Sequence, residues 1–438
     1  MRMALAIAGC VASAALLVLL AVACDGGGGK APTPSPAATA TASPATTASP
    51  SPAATSTPPP VGSLGEDQIA YVGANGADVW LINADGSGNR RLTQGQCPRA
   101  PRIFWSPRGD KIACVSSGTP EAKLAVADLE GRILLEVEHK EYLGYFAWSG
   151  NNHNSVYTIG EPGSVWTASA SLVIADTESD ATVRLDDAQN ARWSPDGGQL
   201  AYVKVVGEEL TIYDLASGQA RSVRQGLRPL AWALGGEALL VAAGFRVECD
   251  GECSAYYEAN LLDLASGEMT RLPELDNGSS QFWLTPDGRA AAFRAGPVER
   301  PEGGGGLTVA ILDLATHEVT PIEGAVVGFP GSEFPPDHIA FSADGAYLYW
   351  VDVVSGSQSG TSGTVHRARP DGSGLAQLAM AEGSVFVFSP DRTRVLYSPD
   401  RDRQSLWVAG VDGSDVHLLV EGIRADWSRA AWRPQPAP

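Results

Sequence analysis

Residues 191–220 read ARWSPDGGQLAYVKVVGEELTIYDLASGQA, and the fold follows from how this stretch divides. A strand, a, ends at Trp193, and Ser194-Pro195-Asp196-Gly197 turns the chain. Proline presets φ at a turn corner, and Asp-Gly supplies the position with positive φ. Gln199 to Val203 is an apolar and aromatic run, strand b. Leu210 to Asp214 is strand c, and Ala216-Ser217-Gly218 leads into strand d at Ala220 to Val223. A single unit of four short strands cannot bury both its faces, so copies must stack.

Copies are present. The end of strand a recurs at Trp105, Trp148, Trp193, Trp232, Trp283, Phe341, Phe388 and Trp432, at intervals of about 47 residues. The turn between strands c and d recurs independently at Asp85, Asp128, Asp176, Asp214, Asp263, Asp313, Asp371 and Asp412. The two series are offset. Asp85 has no strand a before it, and Trp432 has no b, c or d after it. A closed ring accounts for this: the C-terminal strand completes the N-terminal blade and removes the open edges. The fold class is therefore all-β, a single β-propeller of eight four-stranded blades over residues 66–434, with seven blades as the alternative count. The recurring tryptophans read as packing between blades, and the recurring aspartates as caps on turn amides.

The WSPDG turn, the IAYV-type strand and the NADGSG or DLASG turn resemble WD40-like repeats of the TolB type. Such repeats also occur in propellers of prolyl-oligopeptidase-class peptidases. The resemblance implies a propeller and names no ligand, because propellers host unrelated activities. TolB itself has an N-terminal α/β domain, whereas a low-complexity stretch precedes the first blade here. The peptidases add a hydrolase domain, and no G-x-S-x-G nucleophile elbow occurs in this chain.

Residues 1–23 read as a signal peptide: Arg2, then an apolar run from Ala4 to Ala23 ending in small residues. Ala21-Val22-Ala23-Cys24 resembles the bacterial lipobox, which implies cleavage before Cys24 and lipid on its sulfur. An uncleaved membrane-spanning anchor is the alternative reading. Residues 24–65 are a Pro/Ala/Ser/Thr-rich tether without core-forming residues. The address is thus extracytoplasmic and membrane-anchored, at the cell surface or in the periplasm.

The net charge of −19 argues against nucleic acid and anionic lipid surfaces as electrostatic partners. Four cysteines remain beyond Cys10 and Cys24. Cys97 with Cys114 and Cys249 with Cys253 are the expected disulfides; a Cys-x-x-x-Cys metal site is the other reading of the second pair. Six scattered histidines form no H-E-x-x-H or comparable cluster, and neither a metal nor a cofactor is expected.

Function is sought on one face. In a meandering blade the a–b and c–d turns lie on one face of the ring, and the b–c and d–a connections on the other. Long insertions fall in b–c connections at 160–170, 244–256, 296–306 and 354–364, and in the d–a connection at 322–337. Variable segments on a rigid scaffold are where binding residues usually sit. The candidate binding residues are Trp166, Phe245, Arg246, Tyr256, Tyr257, Phe334, Asp337 and His338. The leading expectation is a monomeric, non-catalytic module holding a protein or cell-envelope polymer on this face. A glycan- or peptide-acting hydrolase or lyase, with Asp337 and His338 as acid and base, is one alternative. A structural envelope spacer is the other.

Overall fold

The computed structural model describes residues 67–434, apart from 98–100, 117–121, 161–169, 250–252, 273–281, 300–304, 328–338, 343, 357–359, 382–383, 400–403 and 425–428. Side chains at 245–257, 294–307, 326–327, 352–363 and 379–386 also lie outside the description. Residues 1–66, with the expected signal peptide, Cys24 and the expected tether, fall outside it as well.

Eight antiparallel four-stranded sheets are formed among the described residues. In blade 4 the strands are Ala188–Trp193, Gln199–Lys204, Glu209–Asp214 and Gln219–Gln225, within a few residues of the division drawn from the repeat. The turn after Trp193 is built as its residues require. Ser194 Oγ donates to Asp196 at 2.5 Å and accepts the Gln199 amide at 2.9 Å. Gly197 has φ +71°, and a Cβ there would come within 2.6 Å of the Asn151 amide nitrogen of the preceding blade. Only glycine meets both demands. The same Ser/Thr–Asp device recurs at Thr285 with Asp287, Ser342 with Asp344 and Ser389 with Asp391.

All eight c–d aspartates cap their turns. Asp85, Asp128, Asp176, Asp214, Asp263, Asp313, Asp371 and Asp412 each accept at least one backbone N–H two to four residues on. Their recurrence is structural, as the turn chemistry implies.

The ring closes as the offset of the two series requires. Ala430–Trp432 is the innermost strand of blade 1 and pairs with Gln68–Val72, with Ile69 opposite Trp432. Further bonds hold the seam between blades 8 and 1: Arg394 to Asp67 at 3.1 Å, and His417 Nε2 to the Ala84 carbonyl at 2.7 Å.

Apolar clusters lie between neighbouring blades, one at each of the eight interfaces. Along Gln68–Val72, Ile69 and Tyr71 face blade 8, whereas Ala70 and Val72 face blade 2. Successive strand residues point to opposite faces, and both faces here are covered. That is why strand b of each blade reads as an unbroken apolar run.

The tryptophans join the inner strands. Nε1 of Trp105, Trp148, Trp193, Trp232 and Trp432 donates to a carbonyl in the inner strand of the preceding blade. The acceptors are Ala431, Phe104, Ala147, Arg192 and Val387, each directly before the aromatic residue that ends its strand. Trp283 departs from the series. Leu284 precedes the turn at Thr285 and takes the place that tryptophan has elsewhere. Trp283 therefore packs toward blade 7 and not toward blade 5.

Candidate functional site

Three of the insertions, in blades 5, 6 and 7, extend the strands they join, whereas the blade 3 insertion lies outside the described residues at 161–169. In blade 5, strands Ala238–Cys249 and Cys253–Asp263 continue their ladder far beyond the length seen in blade 4. Blade 6 does the same with Ala290–Glu299 and Gly305–Asp313, and blade 7 with Leu348–Gly356 and Gly360–Ala368. Two strands already paired accept inserted residues at least cost by extending the pairing, because every added backbone polar group is then satisfied. The strand Val319–Val327 likewise runs into the 322–337 segment.

A β-bulge marks where two of these hairpins leave their blades. The register slips between Ala243 and Arg246, where Gly244 has φ +67°, and again between Ala295 and Pro297. A bulge bends its strand and re-aims the residues beyond it. Phe245 lies within the first bulge, and Arg246 and Tyr256 are register partners just past it. Tyr257 lies between the paired positions Tyr256 and Glu258. Cys249 and Cys253 are register partners at the tip. The side chains of these residues are outside the described ones, as are Trp166, Phe334, Asp337 and His338 altogether. The backbone thus gathers Phe245, Arg246, Tyr256 and Tyr257 on one hairpin.

Cys97 and Cys114 form a disulfide with Cα atoms 5.8 Å apart. It ties the segment after blade 1 to strand b of blade 2, inside the cluster between those blades.

Two groups of polar residues escape a reading of the insertions. The first spans blades 2 and 3. His139 Nε2 meets the buried Tyr157 hydroxyl at 2.9 Å, and its Nδ1 lies 3.8 Å from Glu141. Arg184 joins Glu141 at 3.4 Å, Asp186 at 2.7 Å and Ser171 Oγ at 3.2 Å. Burial is the main reason that the His139 imidazole titrates below its ordinary value; Glu141 works against this and Arg184 adds to it. Burial also pushes the Tyr157 hydroxyl upward.

The second group is on the inner strands, which line the central channel. Arg102 donates to the Gly144 carbonyl of blade 3 and lies 5.8 Å from the Phe104 ring centre. Arg192 donates through Nε to the Leu230 carbonyl of blade 5 at 2.7 Å and through Nη1 to Ala191 O at 2.8 Å. Its guanidinium is also 5.9 Å from the Tyr145 ring of blade 3. A group on blade 4 that touches the inner strands of both neighbours lies over the inner edge of its own blade. The acceptors have a common origin. Gly144 falls where the ladder of Tyr142–Trp148 slips, and Leu230 where that of Leu227–Ala233 slips. A bulge leaves a residue out of the ladder, and the arginine of the preceding blade takes up its carbonyl. Arg102 and Arg192 fall at different places in the repeat, three residues before Trp105 and one before Trp193, so no periodic signal marks them.

Among the described residues, no group of three or more His, Cys, Asp or Glu is arranged to hold a metal ion, and no helix is long and apolar enough to cross a membrane.

A solved structure of the eukaryotic initiation factor is similar in fold, with TM-score 0.53 and 15% identity over 85% of this chain and 100% of that one. The chain is an eight-bladed β-propeller. TolB from Acinetobacter baumannii aligns at TM-score 0.36 and 18% identity, over 74% of this propeller chain and 82% of its own. An oligogalacturonate lyase in complex with manganese aligns at 0.45 and 14%, over 72% and 89%. At such identities the likeness is one of fold. No family model and no curated protein matches the propeller by sequence.

Proposed function

We propose that this propeller is an extracytoplasmic, non-catalytic binding module that holds a protein of the cell envelope on its b–c hairpin face. One observation carries the reading. Three consecutive blades, 5 to 7, prolong their b–c hairpins, and those of blades 5 and 6 carry a bulge where they begin to project. A rigid ring that grows three adjacent hairpins in one direction gains an extended contact surface and no stability that its core requires. The blade 5 hairpin carries aromatic residues and an arginine, the types enriched at interface hot spots.

Export is supported by the Cys97–Cys114 disulfide, since such bonds persist in oxidising compartments. The apolar run before Cys24 adds an address, and the 24–65 segment a spacer from the membrane.

The test is a crosslinking pull-down from native membranes with the full-length protein. Residues 354–362 would be replaced by Asn-Gly, a turn that closes a two-residue hairpin between the register partners Val353 and Gly363. A specific protein captured by the parent and lost with this variant, at unchanged thermal stability, is the expected result. Equal capture by both overturns the choice of face.

A further inference from the structure

The outer strand of blade 4, Gln219–Gln225, is seven residues long and exposed at every position but Val223. It ends its sheet, so among the described residues no strand pairs with its outer side. The unpaired N–H and C=O groups of such an edge are a template for another strand.

Its charges differ from those of the other outer strands. Arg91, Arg184 and Arg271 each meet a carboxylate, and Arg90 donates to the Leu129 carbonyl. The strand in blade 4 carries Arg221 and Arg224 and no Asp or Glu. Among the described residues Arg221 has no hydrogen-bond or ion-pair partner, and Arg224 meets only the Met269 sulfur of blade 5, at 3.8 Å. The neighbouring acids are engaged elsewhere. Asp214 accepts from Ser217, Glu258 pairs with Arg271, and Glu209 meets Ser222.

A bulge puts the two arginines on one face. Three residues apart in a regular strand, they would point to opposite sides. The register slips between Leu210 and Thr211, leaving Arg221 opposite Ile212 and Arg224 opposite Leu210. Leu210 and Ile212 both pack toward blade 5, so both arginines leave the strand on that side. They stand two ladder places apart, about 7 Å. Charge that only guarded the edge would need no such alignment.

We propose that this edge receives an extended acidic segment of another protein, which adds a fifth strand to blade 4 and sets carboxylates at alternate positions against Arg221 and Arg224. An extended chain places alternate side chains on one face at the same spacing of about 7 Å. Opposite charges facing each other across a ladder attract, and a guanidinium fork suits a carboxylate. A polyanion without a peptide backbone would meet the arginines and leave the edge groups unpaired. The site is on the outer rim of one blade and does not depend on the hairpin face.

The experiment measures fluorescence anisotropy of the labelled peptide Thr-Glu-Val-Glu-Val-Glu-Thr with the full-length protein in detergent. Its controls are the block peptide Thr-Val-Val-Glu-Glu-Glu-Thr, a version with lysine for glutamate, a version with methylated backbone amides, and polyphosphate. Saturable binding of the alternating peptide that weakens with salt is expected, with weaker binding of the block peptide and none of the lysine or methylated ones. Arg221→Gln and Arg224→Gln, both at exposed positions, should each lower the affinity about threefold and together about tenfold, with circular dichroism unchanged. Absence of saturable binding, or equal affinity in the double variant, overturns the proposal. Equal affinity of the block or methylated peptide would show charge attraction alone and overturns the added strand. Tighter binding of polyphosphate overturns the choice of peptide. Self-association in sedimentation that the double variant abolishes would make a second copy the occupant and overturns the choice of a foreign segment.

Discussion

Trp105 donates its indole N–H to the carbonyl of Ala431 at 3.0 Å, joining residues 326 positions apart in the chain. The same bond recurs at four further interfaces, among them the one between blades 8 and 1 where the termini meet. The inner strands are therefore linked by directional bonds as well as by apolar packing. Phe341 and Phe388 stand at the corresponding place in blades 7 and 8, so the ring tolerates an aromatic residue without the donor.

Trp105→Phe keeps an aromatic side chain there and removes that bond. A loss of about 1 kcal/mol is expected, the usual net worth of a hydrogen bond. Trp105→Ala should cost about 3–5 kcal/mol by opening a cavity. Urea unfolding followed by far-UV circular dichroism separates the two. Equal losses would mean that the bond contributes nothing.

The Cys97–Cys114 bond closes a 17-residue separation beside the seam blade. Chain-entropy arguments give about 3 kcal/mol for a loop of this size. The Cys97→Ala, Cys114→Ala double variant should lose roughly that amount, and added reductant should shift the parent's unfolding midpoint but not the variant's.

Much of this was legible in the residues. The offset between Asp85 and Trp432 announced ring closure, because a periodic chain leaves unpaired strands only at its ends. Turn chemistry at Ser194, Asp196 and Gly197 is local, and it appeared where the residues demanded it. The insertions were found but their form was not. Whether glycines such as Gly305 and Gly306 continue a ladder depends on the strands behind them, and not on their own propensities. Trp283 was misaligned by one place because Leu284 carries no aromatic mark. The inner-strand arginines were invisible for another reason: their partners are carbonyls freed by bulges, and a bulge is a relation between two strands.

Acid stability should follow the turn aspartates. Backbone and side-chain hydrogen bonds from a nearby serine hold the carboxyls of Asp214, Asp263, Asp371 and Asp412 below their ordinary value. A carboxyl whose folded pKa is depressed contributes stability above its unfolded pKa, near 3.9, and loses it as pH falls through the folded value. The unfolding midpoint should therefore drop as pH falls below about 5. Asn at all four positions keeps an acceptor without titrating, and should flatten that limb. An identical acid limb in the variant would show that these turns are not its source.

His139 gives a second, higher window with the same sign. Burial depresses its folded pKa, so the neutral ring's contribution is complete above about 6.5 and declines as pH falls toward the depressed value. His139→Gln retains a group able to meet Tyr157 and should remove this slope. Glu141 lies 3.8 Å from the ring and Arg184 pairs with that carboxylate, so the slope should also respond to salt.

The most direct measurement of the central claim places a photo-crosslinking amino acid at Tyr256, on the blade 5 hairpin, and separately at Thr316, in a c–d turn on the opposite face. Irradiation in intact cells should yield one discrete protein adduct from position 256 and none from 316. Adducts from 316 alone, or the same adduct from both positions, would contradict the assignment of the hairpin face as the binding surface.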